Sequence, residues 1–221
     1  AAESTTSSVV SETTSAAADE NAAAAAQLLN DLTGSYQELW PVILADEYQQ
    51  TWLDDCTALV GEENAEAAFE KLSSMVTGDV YGEDAVEAYA NGGGAYFCGF
   101  TNDLATLTFD GETSTISGTD KDGNVLFSHT YHYIGMEPVH GLYEFESDDA
   151  DSGEFTYFFL APDTSAETYH IEFRYGSDAE ALSQYDAGEY AYWVASGIST
   201  DCDQTMIDNC IELFCTENLA G

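Results

Sequence analysis

Alternating apolar and polar residues recur in short runs through the middle of this chain, and the last run, HIEFRYG, is the clearest example. Such alternation is typical of β-strands that bury one face. Asp-Gly pairs at 110–111 and 122–123 lie between runs and favour hairpin turns. Antiparallel strands at this spacing predict a β-barrel or a β-sandwich. The predicted strands cover residues 105–109, 112–118, 125–134, 142–146, 155–160 and 169–175.

Helical segments flank the predicted strands. Residues 20–32 are rich in Ala and Leu, which favour helix. Residues about 45–90 carry two apolar stripes at helical spacing and end at the Gly-rich run 91–94. Residues about 203–219 form an amphipathic pattern. The sequence therefore predicts a mainly β domain with a helical insert, a β meander over about 95–176 and a closing C-terminal helix.

The charge balance is extreme, because the sequence has 42 acidic residues and three basic ones, which give a formal net charge of −39. Such a surface repels nucleic acids and anionic lipids, so we expect no nucleic-acid partner. The acidic surface also concentrates cations, which would help metal capture. A surface that only keeps the protein soluble explains the same composition. No apolar run reaches the length of about 18 residues that a membrane-spanning helix needs. We also expect the protein to lose stability at low salt through self-repulsion.

Residues 1–20 contain mostly Ser, Thr, Ala and acidic residues and have almost nothing to bury. This composition predicts a disordered tether, with residues 21–221 as a single domain. The segment lacks the basic start and the apolar middle of a signal peptide. It is similar to the tether of a processed lipoprotein, whose lipid anchor would lie just before Ala1. A segment without function is the alternative.

The last two predicted strands resemble those of the ZinT family, which are bacterial envelope proteins with a calycin (lipocalin-like) barrel. In that family a His lies four residues before the Pro of an Ala-Pro corner, and a His-x-His strand ending in Gly follows. Here the corner is Ala161-Pro162, the glycine is Gly176, and His170 takes the place of the first His of the pair. Phe158 and Glu172 replace the other two histidines.

The resemblance extends over about residues 32–215. Gly34-x-Tyr36 and Trp40-Pro41 match an early family segment, which has a Trp where Tyr36 stands. Residues 100–135 are similar to the family's central meander in strand lengths and turn positions. The resemblance implies an antiparallel calycin barrel with an α-helical insert and a C-terminal helix.

The candidate metal ligands lie near the Ala-Pro corner. His170 and Glu172 are two residues apart and share a strand face, so they are close enough to hold one metal ion. His140 lies on a predicted loop and is the expected third ligand, with His132 less favoured. An ion pair between Glu172 and Arg174, the only arginine, is the alternative role for Glu172. His129 shares the strand of His132 but faces the other side.

The five cysteines show no C-x-x-C spacing, so we expect disulfides rather than a structural zinc site. The pairs considered are Cys202 with Cys210 or Cys215, and Cys56 with Cys98. The odd number leaves at least one thiol free or linked to another chain.

The resemblance implies that the protein binds a divalent transition metal, zinc first, at the barrel mouth. It would buffer the metal or pass it to a component of a metal-uptake transporter, in the bacterial envelope or outside the cell. We expect no enzymatic activity, because nucleophile-elbow and phosphate-loop motifs are lacking. A second hypothesis is a barrel that has lost its metal site. It would bind a basic protein partner through its acidic surface, or a small apolar ligand in a cup of aromatic side chains. That cup would contain Tyr157, Phe158, Phe159, Tyr169 and Tyr175.

Overall fold

A closed antiparallel β-barrel forms the centre of the molecule in the computed structural model, which describes residues 20–162 and 170–220. Each strand pairs with the next one along the chain, and the last strand closes on the first. The strands are β1 Gly34–Glu38, β2 Thr106–Asp110, β3 Thr115–Thr119, β4 Val125–Met136, β5 Tyr143–Ser147, β6 Tyr157–Leu160, β7 His170–Gly176 and β8 Ala195–Ser199. The predicted calycin-like barrel is confirmed.

Strands β2 to β7 correspond to the predicted runs, whereas β8 was missed. Its sequence, ASGIS, consists mostly of small residues and shows no clear alternation. These residues are small because β8 packs closely against β7, where a Cβ atom on Gly197 would approach the Ile171 side chain to 3.0 Å. A small residue is therefore favoured where β8 pairs with β7.

Helices cover one end and part of the outside of the barrel. In the described residues they are α1 over 20–31, α2 Leu39–Ile43, α3 Gln49–Val60, α4 Ala65–Val76, α5 Glu83–Ala90, α6 Ala179–Leu182 and α7 Gln204–Leu219. Helix α1 buries Leu28 and Leu29 in the same apolar cluster as the barrel interior. It packs against the β2–β3 turn, where a Cβ on Gly111 would come within 2.4 Å of the Asn30 Cα.

A second apolar cluster lies between the barrel wall and the helices α2, α3, α4 and α7. Trp52 is fully buried there, and its Nε1 donates to the Ile43 carbonyl at 2.7 Å. The Phe214 ring of α7 lies 4.7 Å from Trp40 and 6.1 Å from Trp52, measured between centroids. Ile198 of β8 joins this cluster, so the outer face of the wall is also buried here.

All five cysteines are thiols in the structure. The Sγ atoms of Cys56 in α3 and Cys215 in α7 are 4.0 Å apart. The expected pairing of Cys56 with Cys98 is therefore corrected, because the packing of α3 on α7 brings Cys56 to Cys215 instead.

The predicted tether over residues 1–20 lies outside the described residues except for Glu20, which is part of α1. Within the described part of the chain, no helix is both long and apolar enough to cross a membrane.

Candidate functional site

Strand β7 buries side chains on both of its faces. Ile171, Phe173 and Tyr175 belong to the interior cluster of the barrel. The alternating residues His170, Glu172 and Arg174 consequently lie on the outer face of the wall. The alternation predicted for this strand is confirmed, but the expected position of His170 and Glu172 at the barrel mouth is corrected.

Aromatic rings fill the barrel interior around Phe158, the residue at the first histidine position of the resemblance. Its ring centroid lies 5.3 Å from that of Tyr175, 5.4 Å from Tyr131 and 6.4 Å from Phe173. Phe158 pairs in register with Tyr175, so its neighbours on this face of β7 are aromatic. None of these rings offers the imidazole or carboxylate that zinc prefers.

The hypothesis of an open aromatic cup is also corrected for the described residues. Phe158, Phe159 and Tyr175 are fully buried, and Phe158 and Tyr175 pack against one another. Phe159 pairs with Arg174 and therefore belongs to the outer face. Tyr169 lies outside the described residues.

A cavity of about 410 Å³ lies against the outer face of β7, beside the ends of β5, β6 and β8, and we call it the outer-wall cavity. Glu172 and Arg174 of β7 form part of its floor, and His140 and Tyr185 form part of its sides. The remaining lining residues are Tyr96, Leu142, Ala161, Pro162 and Val194. His140 and Glu172, both predicted as ligands, therefore face the same space.

His140 is held in place by the turn between β4 and β5. The fully buried Glu137 carboxylate accepts hydrogen bonds at 2.7 Å from the backbone N–H groups of Val139 and His140. The His140 ring packs edge-on against Tyr185, with 4.1 Å between centroids. Burial raises the pKa of Tyr185 to about 12. The loop position predicted for His140 is confirmed.

Arg174 is fully buried beside the outer-wall cavity. Its guanidinium donates to the carbonyl oxygens of Leu182, Gln184 and Tyr190, and its Cζ lies 4.3 Å from the centroid of the Tyr185 ring. Burial lowers its pKa from the usual value. In the part of the chain that the structure describes, Arg174 forms no ion pair with Glu172, so the alternative role of Glu172 is not supported.

A small cleft of about 30 Å³ separates β7 from α7, and we call it the β7–α7 cleft. His170 and Glu172 line it from β7, and Cys210 and Glu217 line it from α7. Apolar side chains of α2 and α7 complete the lining, namely Leu39, Trp40, Ile43, Leu213 and Phe214. Sequence reasoning missed Glu217 and considered Cys210 only as one of two alternative disulfide partners of Cys202. Burial raises the pKa of Cys210 to about 12, so its thiol keeps its proton at neutral pH.

Glu172 lines both spaces, whereas His170 lines only the cleft and His140 only the outer-wall cavity. No three His, Cys, Asp or Glu side chains of the described residues are already arranged to hold a metal ion. Imidazole nitrogen, carboxylate oxygen and thiolate sulfur are all zinc ligands, so the donor chemistry of the cleft fits zinc. A closed zinc site would require these side chains to move together.

His129 and His132 face opposite sides of β4, as predicted. His129 lies beside the interior rings of Phe127 and Tyr131, and its Nδ1 is 2.6 Å from the Asp149 carboxylate. The Nδ1 of the more exposed His132 is 2.7 Å from Asp148. His132 lines neither the outer-wall cavity nor the β7–α7 cleft.

Neither a protein-family model nor a curated protein matches the chain by sequence. Among solved structures, the chain is similar to the Zn(II)-bound ZinT-like domain of Streptococcus pneumoniae AdcA. The TM-score is 0.52 and the identity 16%, over 83% of this chain and 89% of that one. The fold is ZinT-like. This confirms the family resemblance at the level of the fold.

A second similar structure is Zn(II)-bound AdcA from Streptococcus pneumoniae, with a TM-score of 0.49 and an identity of 14%. The match covers 85% of this chain but 35% of that chain, so this ZinT-like chain spans about a third of that protein.

Proposed function

We propose that this ZinT-like protein is a non-catalytic binding protein for a divalent transition metal ion, zinc first. His170 and Glu172 are its primary ligands. The observation that carries the proposal is the β7–α7 cleft, which these two side chains line together with Glu217 and Cys210. The zinc-bound ZinT-like domain with a similar fold supports the choice of metal.

Two residues compete for the role of third ligand. His140 faces Glu172 across the outer-wall cavity, and Glu217 faces it across the β7–α7 cleft. We propose that one of these two residues completes the ligand set: His140, as the sequence predicts, or Glu217, which keeps the ion on the α7 side. The buried Arg174 also lines the outer-wall cavity and repels cations, which favours Glu217.

The physiological role that we propose is metal buffering or delivery of the ion to a metal-uptake transporter component, in the bacterial envelope or outside the cell. The acidic surface supports this role, because a net charge of −39 raises the local concentration of cations. Affinity alone does not identify the physiological metal, since copper and nickel bind more tightly than most divalent ions to nitrogen and oxygen ligands.

Calorimetric titration of zinc into chelator-stripped protein tests the proposal. Moderate salt is needed, because the 42 acidic residues also bind cations loosely. We expect one saturable site that His170→Ala abolishes. His132→Ala is the matched control, since His132 lines neither space, and should keep the site. Loss of the site in His140→Ala but not in Glu217→Gln would assign the third ligand to His140, and the reverse result would assign it to Glu217.

The pH dependence gives an independent check. A ligating imidazole must be neutral, so we expect zinc binding to disappear below about pH 5. Weak binding at many sites, removed by salt and unchanged in His170→Ala, would contradict the proposal.

A further inference from the structure

Another cavity, of about 350 Å³, lies where the end of β1 and helix α2 meet the end of α4, and we call it the α2–α4 cavity. Its volume falls within the range of small-molecule sites, which is roughly 300–1,000 Å³. Pro41 and Thr77 line it and are exposed, so the cavity is open to solvent. The proposed metal ligands are not among its lining residues.

Among the described residues that line this cavity, Glu38 at the end of β1 carries the only charged side chain. Its Oε1 accepts a hydrogen bond from the backbone N–H of Phe100 at 2.6 Å, which holds the carboxylate in place. Gly99 leaves the necessary space, because a Cβ atom there would lie 2.8 Å from the same oxygen. Glu38 is only partly buried, so a ligand in the cavity can contact its side chain.

The charge of Glu38 is not balanced by a neighbouring cation. In the part of the chain that the structure describes, Glu38 takes part in no ion pair. Cys98 also lines the cavity, and burial raises the pKa of its thiol to about 12, so the thiol is neutral. A cationic ligand would therefore meet a single carboxylate, and hydrogen bonds between charged partners are stronger than neutral ones.

Most of the remaining lining is apolar. Leu44 and Val76 supply aliphatic surface, and Trp40 and Phe97 supply aromatic rings. Aromatic rings attract organic cations, and aliphatic surface favours an apolar ligand body. A hydrated metal ion would leave this apolar surface uncovered. The lining therefore suits a ligand that combines one ammonium group with an apolar body.

We propose that the α2–α4 cavity binds a small primary amine with an apolar body. Its ammonium group donates a hydrogen bond to the Glu38 carboxylate, and its body packs against Leu44, Val76 and Phe97. The net charge of −39 favours the approach of such a cation. This site goes beyond the proposed metal function and does not depend on it.

Calorimetric titration of 2-phenylethylamine into the full chain, in the presence of a chelator, tests this inference. Moderate salt suppresses loose binding of the amine to the other carboxylates. The matched ligands are 2-phenylethanol, which lacks the charge, and ethylamine, which lacks the ring. We expect one saturable site for 2-phenylethylamine and at least about tenfold weaker binding of either matched ligand.

Glu38→Gln removes the charge and keeps an oxygen that can accept from the Phe100 N–H. We expect it to weaken binding of 2-phenylethylamine by about tenfold or more. Glu112→Gln is the matched control, because it removes the same charge from an exposed residue outside the cavity, and should leave binding unchanged. Val76→Phe fills part of the cavity and keeps Glu38, so it should also weaken binding. This variant provides a second test if Glu38→Gln does not fold.

Equal binding of the amine and the alcohol, equal binding of ethylamine, unchanged binding in both cavity variants, or no binding of 2-phenylethylamine would overturn the inference. His170→Ala separates it from the metal proposal. This substitution should abolish the zinc site and leave 2-phenylethylamine binding intact, because His170 does not line the α2–α4 cavity. Glu38→Gln should in turn keep the zinc site.

Discussion

Replacement of Phe158 by Ala should strongly destabilise the barrel. Phe158 is fully buried, and its ring lies within 6.4 Å, between centroids, of those of Phe127, Tyr131, Phe173 and Tyr175. Removal of a buried Phe side chain typically costs about 3–5 kcal/mol, because apolar contact is lost and a cavity remains. With ring neighbours in both stacked and edge-on arrangements, we expect about 4 kcal/mol. The melting temperature should fall by about 8–16 °C.

Urea unfolding followed by circular dichroism, at one fixed salt concentration, measures this loss. Val125→Ala is the control, since Val125 is 70% exposed and its truncation should change stability by no more than about 0.5 kcal/mol. A loss below about 1 kcal/mol for Phe158→Ala would refute a closely packed aromatic interior.

Phe158→His extends this test to the metal chemistry. The substitution restores a histidine at the position where the ZinT family has one, but its neighbours on β7 remain Phe173 and Tyr175. We therefore expect lower stability and no additional zinc site by calorimetry. A new zinc site in this variant would show that the barrel interior still supplies ligands.

Three further predictions concern charge and cysteines. Mild oxidation should link Cys56 to Cys215, whose Sγ atoms are 4.0 Å apart, and peptide mapping that found Cys56 linked to another cysteine would contradict this. The 159-residue separation gives a chain-entropy gain of at most about 5 kcal/mol, and the reaction should be slow because burial raises the pKa of both thiols. Burial and the nearby Glu212 and Asp208 raise the pKa of Asp55, so its contribution to stability falls as pH rises from its ordinary pKa through the raised one. Asp55→Asn should therefore stabilise the protein at pH 7 but not at pH 3, and equal effects in thermal melts at both pH values would refute this. Sodium chloride should raise the melting temperature of the wild type, whereas a flat response would exclude self-repulsion as a significant term.

The barrel was predictable because hairpin strands are local. Most runs from β2 to β7 carry their own alternation, although β6, YFFL, is apolar throughout, and Asp side chains organise some of the turns between them. The Asp120 carboxylate accepts from the backbone N–H groups of Asp122 and Asn124, which fixes one such turn. Strand β8 was not predictable in this way, since the close contact of Gly197 with Ile171 on β7, which favours a small residue, appears only in the folded barrel.

The candidate site was predictable only in part. Alternation placed His170 and Glu172 on one face of β7 but could not predict what covers that face, where Arg174 is fully buried by the segment that follows β7. Glu217 was missed for a related reason. Its place in the β7–α7 cleft depends on how α7 packs on the barrel wall, and a single helix carries no signal for that contact.

Anomalous diffraction from zinc-soaked crystals, recorded on both sides of the zinc absorption edge, would locate the ion directly. We predict a single strong peak within coordination distance of His170 and Glu172, on the outer face of β7, with His140 or Glu217 completing the ligand set. Zinc–nitrogen and zinc–oxygen distances of about 2.0–2.2 Å would identify these side chains as ligands. A peak only at the exposed His132 and Asp148, or several weak peaks scattered over surface carboxylates, would contradict the proposed site.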